Sequence, residues 1–168
     1  LSFLGSIKGL IVVSFFLVFI LKSNKQRIFL FLDLIGSGLI INITKNIFLR
    51  ERPIIGQNLL ADYSFPSGHT FIAITFYGFL LYLVMKDKKV SYRKLKEGVL
   101  LFLIITIPLS RLILGVHYLT DVLGGITLGL AYLFFLIIMY ESNFLKDKED
   151  ETKLNYSFKY AFEGIITT

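Results

Sequence analysis

The sequence contains no cysteine, and this absence excludes several kinds of chemistry. Without thiols there is no disulfide framework, no thiolate zinc site and no cysteine nucleophile. Histidine is also scarce, with two residues in 168, and the acidic residues form no cluster that would offer a Mg²⁺ or Zn²⁺ site. The sequence therefore predicts chemistry that needs neither a metal nor another cofactor.

Charged residues are also few. They make up 18% of the chain, whereas 55% of its residues are hydrophobic and the mean hydropathy is +0.71. That composition is too apolar for an ordinary soluble domain. The net charge of +6 does not indicate nucleic-acid binding, because Lys and Arg lie in short segments between apolar runs. Such a distribution is typical of a protein of the inner membrane.

Five apolar segments predict an all-α bundle of membrane-spanning helices. They are residues 4–21, 28–48, 67–85, 98–114 and 121–140. The first has 18 residues, and at about 1.5 Å per residue it is about 27 Å long, close to the thickness of a bilayer's hydrocarbon core. We therefore assign residues 1–141 to one membrane domain, with a lipid bilayer as its surroundings.

The positions of the basic residues predict which ends of these helices face the cytoplasm. Residues 22–27 contain three Lys or Arg and residues 86–97 contain six, which places both segments on the cytoplasmic side. Counting crossings also puts the two segments on one side. The connections at 49–65 and around Gly115 then lie on the opposite face, together with the polar motifs described next. We expect a multi-pass protein of a bacterial cytoplasmic membrane with an extracytoplasmic site.

The motif of residues 110–121 carries the most chemistry. His117 and Asp121 are four residues apart, a spacing that puts both on one face of a helix. The carboxylate would then hold the imidazole in one tautomer and leave its other nitrogen free to attack. Arg111 offers a planar fork of donors that fits a phosphate. The alternative for His117 is a structural histidine at a helix end.

Two further motifs lie at the same predicted face. In the first, Lys45 lies nearly a turn inside an apolar segment and Arg52 follows its end, so both are candidates to bind an anion; for Arg50 we favour interfacial snorkelling. In the second, residues 66–70, we expect Pro66 in the first turn of a helix, with Ser67 and Gly68 offering free donors at its positive end. His69 completes this motif.

Together these residues describe a phosphate pocket. Positive charge comes from Lys45, Arg52 and Arg111, and neutral donors from Ser67 and the Gly68 amide, a cradle suited to the equatorial oxygens of a transferring phosphoryl group.

Two histidines allow a division of labour at this pocket. Asp121 marks His117 as the nucleophile, because it orients the ring and stabilises its positive charge. His69 is then the acid that protonates the leaving oxygen and the base that activates water.

The three motifs, in order and with this spacing, resemble the signature of the type 2 phosphatidic acid phosphatases. These are the lipid phosphate phosphatases, whose superfamily also contains soluble acid phosphatases and vanadium haloperoxidases. The resemblance covers about residues 4–140 and has no departure at a functional position. It implies a helical bundle, a phosphohistidine intermediate and inhibition by vanadate. Members of the membrane branch commonly have six spans, so the resemblance also implies that the first helix is missing here.

The expected activity is hydrolysis of a lipid phosphate monoester or diphosphate. Undecaprenyl diphosphate, phosphatidylglycerophosphate and phosphatidic acid all fit, because the motifs recognise phosphate and no lipid selector is visible. Two alternatives remain: a vanadate-dependent haloperoxidase using the same cradle, and a non-catalytic membrane scaffold or transporter.

The tail, residues 142–168, is hydrophilic and then amphipathic. Residues 146–153 form a charged linker, and residues 157–168 resemble the opening helix of small prokaryotic diacylglycerol and undecaprenol kinases. An amphipathic helix at the membrane interface explains the same pattern. The first interpretation makes the chain a fragment of a fusion between a phosphatase and a lipid kinase.

Overall fold

The structure, a computed structural model, describes residues 2–21, 23–59 and 62–142, and all regular structure in these ranges is helical. The helices are α1 (Ile7–Ile20), α2 (Asn24–Phe48), α3 (Ile54–Leu59), α4 (Gly68–Lys86), α5 (Arg93–Ile113) and α6 (Leu119–Glu141). Five of them match the five predicted segments, so the prediction of an all-α membrane bundle is confirmed. The tail beyond residue 142, including its kinase-like stretch, lies outside the described residues.

Helices α2, α4 and α6 are long and apolar enough to cross a membrane. Helix α1 is apolar but shorter, and α5 begins with charged residues. The sequence placed the start of α5 at Gly98, but the helix begins at Arg93. Its first turns are stabilised by ion pairs of Glu97 with Arg93 at 2.7 Å and with Lys94 at 3.3 Å, a spacing that favours helix.

Local signals explain where α2 begins and ends. Ser23 caps its start: the Ser23 hydroxyl accepts from the Gln26 amide at 3.2 Å and the Gln26 side chain accepts from the Ser23 amide at 3.3 Å. This reciprocal pair satisfies two backbone donors that would otherwise be unpaired. At the other end Leu49 adopts a left-handed conformation, and its amide donates to the carbonyl of Lys45 at 2.9 Å. Lys45 therefore lies in the last turn of α2.

Helix α4 lies at the centre of the bundle and contains a π-helical segment, Ala73–Tyr77, that is completely buried. Glycines allow α6 to approach it closely. A Cβ at Gly125 would lie 2.8 Å from the carbonyl oxygen of Ser67 and 2.9 Å from Cβ of Thr70. A Cβ at Gly129 would lie 3.1 Å from Cβ of Ile74. Small residues on α6 thus set how near it comes to the start of α4.

A polar cluster lies in the middle of the bundle, which we call the mid-bundle cluster: Asp33, Ser37 and Thr75. The Ser37 hydroxyl donates to Oδ1 of Asp33 at 3.1 Å and lies 3.2 Å from the Thr75 hydroxyl. All three side chains are buried. Oδ2 of Asp33 has no hydrogen-bond partner within the part of the chain that the structure describes.

The helix ends divide the polar residues into two groups. The end of α2, the start of α4, the end of α5 and the start of α6 meet at one end of the bundle, called here the site end. At the opposite end the Glu141 carboxylate contacts the Lys86 ammonium and the Tyr82 hydroxyl. All three predicted motifs therefore converge at one end.

Candidate active site

His117 lies just before α6, and Asp121 lies in its first turn. Nδ1 of His117 is 3.3 Å from Oδ2 of Asp121, and both side chains are buried. The same carboxylate oxygen accepts from the Tyr118 amide at 2.9 Å. The spacing would put both residues on one face of a helix, but in the structure only Asp121 is helical. It reaches back over the helix start, where a carboxylate is favoured by the free amides and the dipole. The predicted contact is present.

The contact with Arg52 indicates which ring nitrogen of His117 is unprotonated. Its Nη1 donates to the carbonyl of Val116 at 2.9 Å and lies 3.1 Å from Nε2 of His117. A guanidinium only donates hydrogen bonds, so we assign the imidazole hydrogen to Nδ1, facing Asp121. Nε2 then carries the lone pair and points toward the arginine. This is the tautomer that a nucleophilic Nε2 requires.

The surroundings of His117 favour its neutral form. Burial is the main cause and lowers its pKa below the ordinary value of 6.5. The hydrogen bond to Asp121 opposes this shift, whereas the positive charges of Arg52 and Lys45 add to it. A neutral imidazole at ordinary pH has the free lone pair that attack on phosphorus needs.

Lys45 and Arg52 are brought together by Asp62, which sequence analysis did not select. The Lys45 ammonium contacts Oδ2 of Asp62 and donates to the carbonyl of Tyr63 at 2.6 Å. Arg52 donates from Nη2 to Oδ1 of Asp62 at 2.6 Å and from Nε to the Asp62 carbonyl at 2.9 Å. Burial opposes ionisation of Asp62, but the hydrogen bonds from both cations lower its pKa.

Ser67 caps α4. Its hydroxyl accepts from the Thr70 amide at 3.4 Å and from the Thr70 hydroxyl at 3.0 Å, and its amide donates to the carbonyl of Asp121 at 3.0 Å. Pro66 therefore precedes the cap, and the expectation that it lies in the first turn was wrong. The helix begins at Gly68, where the nearest atom to an added Cβ is Cγ2 of Ile41 at 3.4 Å. The phosphate-binding role of the Gly68 amide stays a prediction.

His69 and Arg111 both contact the segment that precedes α1. Nε2 of His69 donates to the carbonyl of Ser2 at 3.1 Å, and Nη2 of Arg111 donates to the Ser2 hydroxyl at 2.7 Å. Electrostatic interactions connect His69 with Arg111, His117 and Arg52. The second histidine and the third cation therefore belong to the same charged group of residues as the nucleophile candidate.

Arg50 corrects another prediction. We expected it to snorkel at the interface, but its Nη1 donates to Oδ1 of Asp121 at 2.8 Å and to the Thr120 hydroxyl at 2.6 Å. Its guanidinium also lies over the Tyr118 ring, 4.4 Å from the centroid. No spacing rule in the sequence indicates this contact, because Arg50 follows the end of α2 and its partner lies on α6.

Comparison with known proteins identifies the family of this chain. The sequence model of the PAP2 superfamily matches residues 26–145, which include all eight predicted site residues. The chain belongs to the PAP2 superfamily. The predicted resemblance to the type 2 phosphatidic acid phosphatases is thus confirmed.

Two relatives indicate the branch of the superfamily. Phosphatidylglycerophosphatase B of Bacillus subtilis (strain 168) is 38% identical over 79 residues, which cover 46% of this chain and 38% of the relative's length. The crystal structure of the first transmembrane PAP2 type phosphatidylglycerolphosphate phosphatase from Bacillus subtilis aligns with a TM-score of 0.69 and 28% identity. That alignment covers 82% of this chain and 72% of the other. Both relatives support a membrane member of the superfamily.

Proposed function

We propose that this chain is an integral membrane phosphatase that hydrolyses lipid phosphate monoesters or diphosphates through a phosphohistidine intermediate. One observation carries the proposal: the Arg52 guanidinium, 3.1 Å from Nε2 of His117, lies beside a nucleophile whose other nitrogen faces Asp121 at 3.3 Å. An arginine in this position would bind a phosphate oxygen and hold phosphorus within reach of the lone pair.

The first half of the reaction transfers the phosphoryl group to His117. Nε2 attacks phosphorus, the bond from phosphorus to the leaving oxygen breaks, and His69 gives its proton to that oxygen. Lys45, Arg52 and Arg111 stabilise the charge on the equatorial oxygens. Asp121 stabilises the positive charge that develops on the attacking ring, as a carboxylate does for histidine in other hydrolases.

The second half returns the enzyme to its starting state. His69 takes a proton from water, the water oxygen attacks phosphorus, and the bond from phosphorus to Nε2 breaks to release inorganic phosphate. We propose that no step of this scheme needs a metal ion, as expected from the sequence; the experiment below tests this with EDTA.

The apolar helices and the relatives support the proposed substrate class. Helices α2, α4 and α6 are long and apolar enough to cross a membrane, so a lipid head group would enter the pocket while its tail stays in the bilayer. The names of the relatives favour phosphatidylglycerophosphate; phosphatidic acid and undecaprenyl diphosphate have the same reacting group. We place the site at the extracytoplasmic face of a bacterial cytoplasmic membrane, because the basic segments lie at the opposite end of the helices.

The test is phosphate release by the detergent-purified protein with EDTA present. The substrates are phosphatidic acid, phosphatidylglycerophosphate and undecaprenyl diphosphate, each with wild type, His117→Ala and His69→Asn. We expect release by wild type from at least one lipid and none from His117→Ala. His69→Asn should slow both the formation and the hydrolysis of the phosphoenzyme, because His69 protonates the leaving oxygen in the first half of the reaction and activates water in the second.

Four results would contradict the proposal. Loss of release with EDTA would show that a metal is needed. Full activity of His117→Ala would exclude the histidine nucleophile. No release from any lipid would favour a scaffold, and halide oxidation after addition of vanadate would favour a haloperoxidase.

A further inference from the structure

An acidic side chain occupies the cations that the proposed reaction needs for phosphate. Oδ1 of Asp62 accepts from Nη2 of Arg52 at 2.6 Å and from Nε at 3.2 Å, while Oδ2 contacts the Lys45 ammonium. Each carboxylate oxygen thus takes one cation. Two oxygens of a phosphate would use the same donors in the same way.

The burial of these three side chains shows that Asp62 lies at the mouth of the site. The side chains of Lys45 and Arg52 are 10% and 4% exposed, whereas that of Asp62 is 56% exposed. The cations are held inside by the end of α2 and by the carbonyls of Tyr63 and Val116. Asp62 therefore approaches fixed cations from the solvent side, where an incoming head group would also arrive.

The donors of Arg52 are nearly all taken. Nε and Nη2 donate to Asp62, and Nη1 donates to the Val116 carbonyl and faces Nε2 of His117. A phosphate that bound Arg52 through Nε and Nη2 would therefore have to displace the Asp62 carboxylate.

We propose that Asp62 is a specificity-determining residue that selects head groups by charge. This inference rests on the proposed function, since it concerns the same phosphate site. A phosphodiester carries one negative charge and gains little when it replaces a carboxylate of equal charge. Above its second pKa a phosphomonoester carries one negative charge more, as does a diphosphate, and attraction to the two cations grows with that charge.

Such selection suits an enzyme that works within a bilayer. Anionic phosphodiester head groups crowd the membrane surface and are present in large excess over a phosphomonoester lipid. Without Asp62, two unpaired cations at the mouth would attract any of them. The Asp62 carboxylate competes successfully with singly charged head groups for the two cations, whereas a doubly charged head group displaces it.

The experiment compares wild type with Asp62→Asn, which keeps the shape of the side chain and removes its charge. Short-chain phosphatidic acid in neutral detergent is the substrate, and short-chain phosphatidylglycerol is the phosphodiester competitor. We expect the inhibition constant of the competitor to fall by about tenfold or more in Asp62→Asn, the scale of losing one charge-assisted hydrogen-bonding partner. The kcat of each variant for phosphatidic acid is measured in the same experiment, so that a change in the inhibition constant can be compared with any change in turnover.

Two variants serve as controls. Glu51→Gln removes one charge from an exposed residue beside Arg52, and phosphatidylglycerol should inhibit it with the same inhibition constant as wild type. Asp62→Glu keeps the charge and should keep the discrimination. If Asp62→Asn loses kcat with an unchanged inhibition constant, Asp62 positions the cations and the proposal is wrong. If both the inhibition constant and kcat of Asp62→Asn equal those of wild type, the proposal is also wrong.

A binding measurement separates this inference from the proposed function. Thermal unfolding in detergent at a pH above the second pKa of phosphate is followed with inorganic phosphate, a dianion, and with dimethyl phosphate, a singly charged diester. We expect phosphate alone to stabilise wild type and both anions to stabilise Asp62→Asn. This pattern without lipid hydrolysis would contradict the phosphatase and support the charge selection. If wild type hydrolyses lipid phosphates but both anions stabilise it equally, the phosphatase is supported and the charge selection by Asp62 is wrong.

Discussion

Two buried carboxylates lie in very different surroundings in this protein. At the site end, Asp121 is contacted by the Arg50 guanidinium, the His117 ring and the Tyr118 amide. In the mid-bundle cluster, Asp33 is contacted by the Ser37 hydroxyl and its Oδ2 has no partner among the described residues. The two are 0% and 1% exposed, so burial does not distinguish them.

The difference lies in the charge and position of their neighbours. Asp121 contacts the Arg50 guanidinium and the His117 ring. The ring in turn contacts Arg52, and Arg52 contacts the exposed Asp62. Around Asp33 there are neutral hydroxyls, which connect α2 to the π-helical segment of α4 and remain buried in the bundle. A buried acid in an apolar bundle is therefore a candidate for chemistry when its partners are charged and reach solvent. With hydroxyl partners alone it holds helices together.

The largest effect should separate the two acids directly. Asp121→Asn removes the charge that stabilises a positively charged His117 and leaves an amide that favours the wrong tautomer, so kcat should fall about 10³-fold or more. Asp33→Asn is the matched control and should keep activity within about twofold. Both are measured as phosphate release from a lipid phosphate. Equal losses in the two variants would remove the distinction between the clusters.

The pH profile tests the charged surroundings of His117. Because burial lowers its pKa below 6.5, the ring should stay neutral down to a pH below that value. Protonation then removes the lone pair, so kcat/KM, which reports the free enzyme, should fall about tenfold per pH unit on the acid side. NMR titration of His69→Gln, which leaves one imidazole, gives the pKa independently. A midpoint above 6.5 would show that the contact with Asp121 outweighs burial.

Arg50→Gln should have a smaller effect on the same carboxylate. It removes the cation at Oδ1 of Asp121 but leaves the His117 and Tyr118 contacts, so we expect kcat to fall about fivefold, since the Arg50 side chain is 37% exposed. Glu51→Gln, at the next position, should leave kcat unchanged. Unaltered activity of Arg50→Gln would restore the snorkelling interpretation.

The mid-bundle cluster should respond in stability and not in catalysis. Asp33→Ala leaves the buried Ser37 hydroxyl without its carboxyl partner, at a cost of about 1–3 kcal/mol. The unfolding midpoint in detergent should drop by several degrees, whereas Asp33→Asn, which keeps an acceptor, should drop less. A loss of kcat in Asp33→Ala without a lower midpoint would mean that the cluster communicates with the site.

The sequence predicted the fold class and eight site residues because both depend on local patterns. Apolar runs gave the five long helices, and fixed spacings within three motifs gave the candidates from Lys45 to Asp121. What it missed depends on contacts between distant segments. Asp62 is an ordinary acid in a polar connection until the chain folds back onto Lys45 and Arg52. Arg50 is an ordinary interfacial cation until α6 brings Asp121 to it.

Errors at helix boundaries have the same origin. The charged residues before Gly98 looked like a cytoplasmic loop, but pairing of Glu97 with Arg93 and Lys94 makes them the first turns of α5. Pro66 looked like the first residue of a helix, but the Ser67 cap starts α4 one residue later. The π-helical segment gave no signal at all, because its residues are as apolar as those of a regular buried helix. The boundaries of the predicted domain and tail, 1–141 and 142–168, stay predictions.

The single backbone hydrogen bond from the Ser67 amide to the Asp121 carbonyl, beside the close approach at Gly125, has a consequence for how the chain tolerates change. Direct contact between the two motifs that carry the histidines fixes their relative position. The chain segment that joins them is not needed for this. Residues 87–92, at the far end of the bundle, can therefore vary in length or be cut without changing that position. We therefore expect two halves divided within residues 87–92 and produced together to recover hydrolysis of a lipid phosphate.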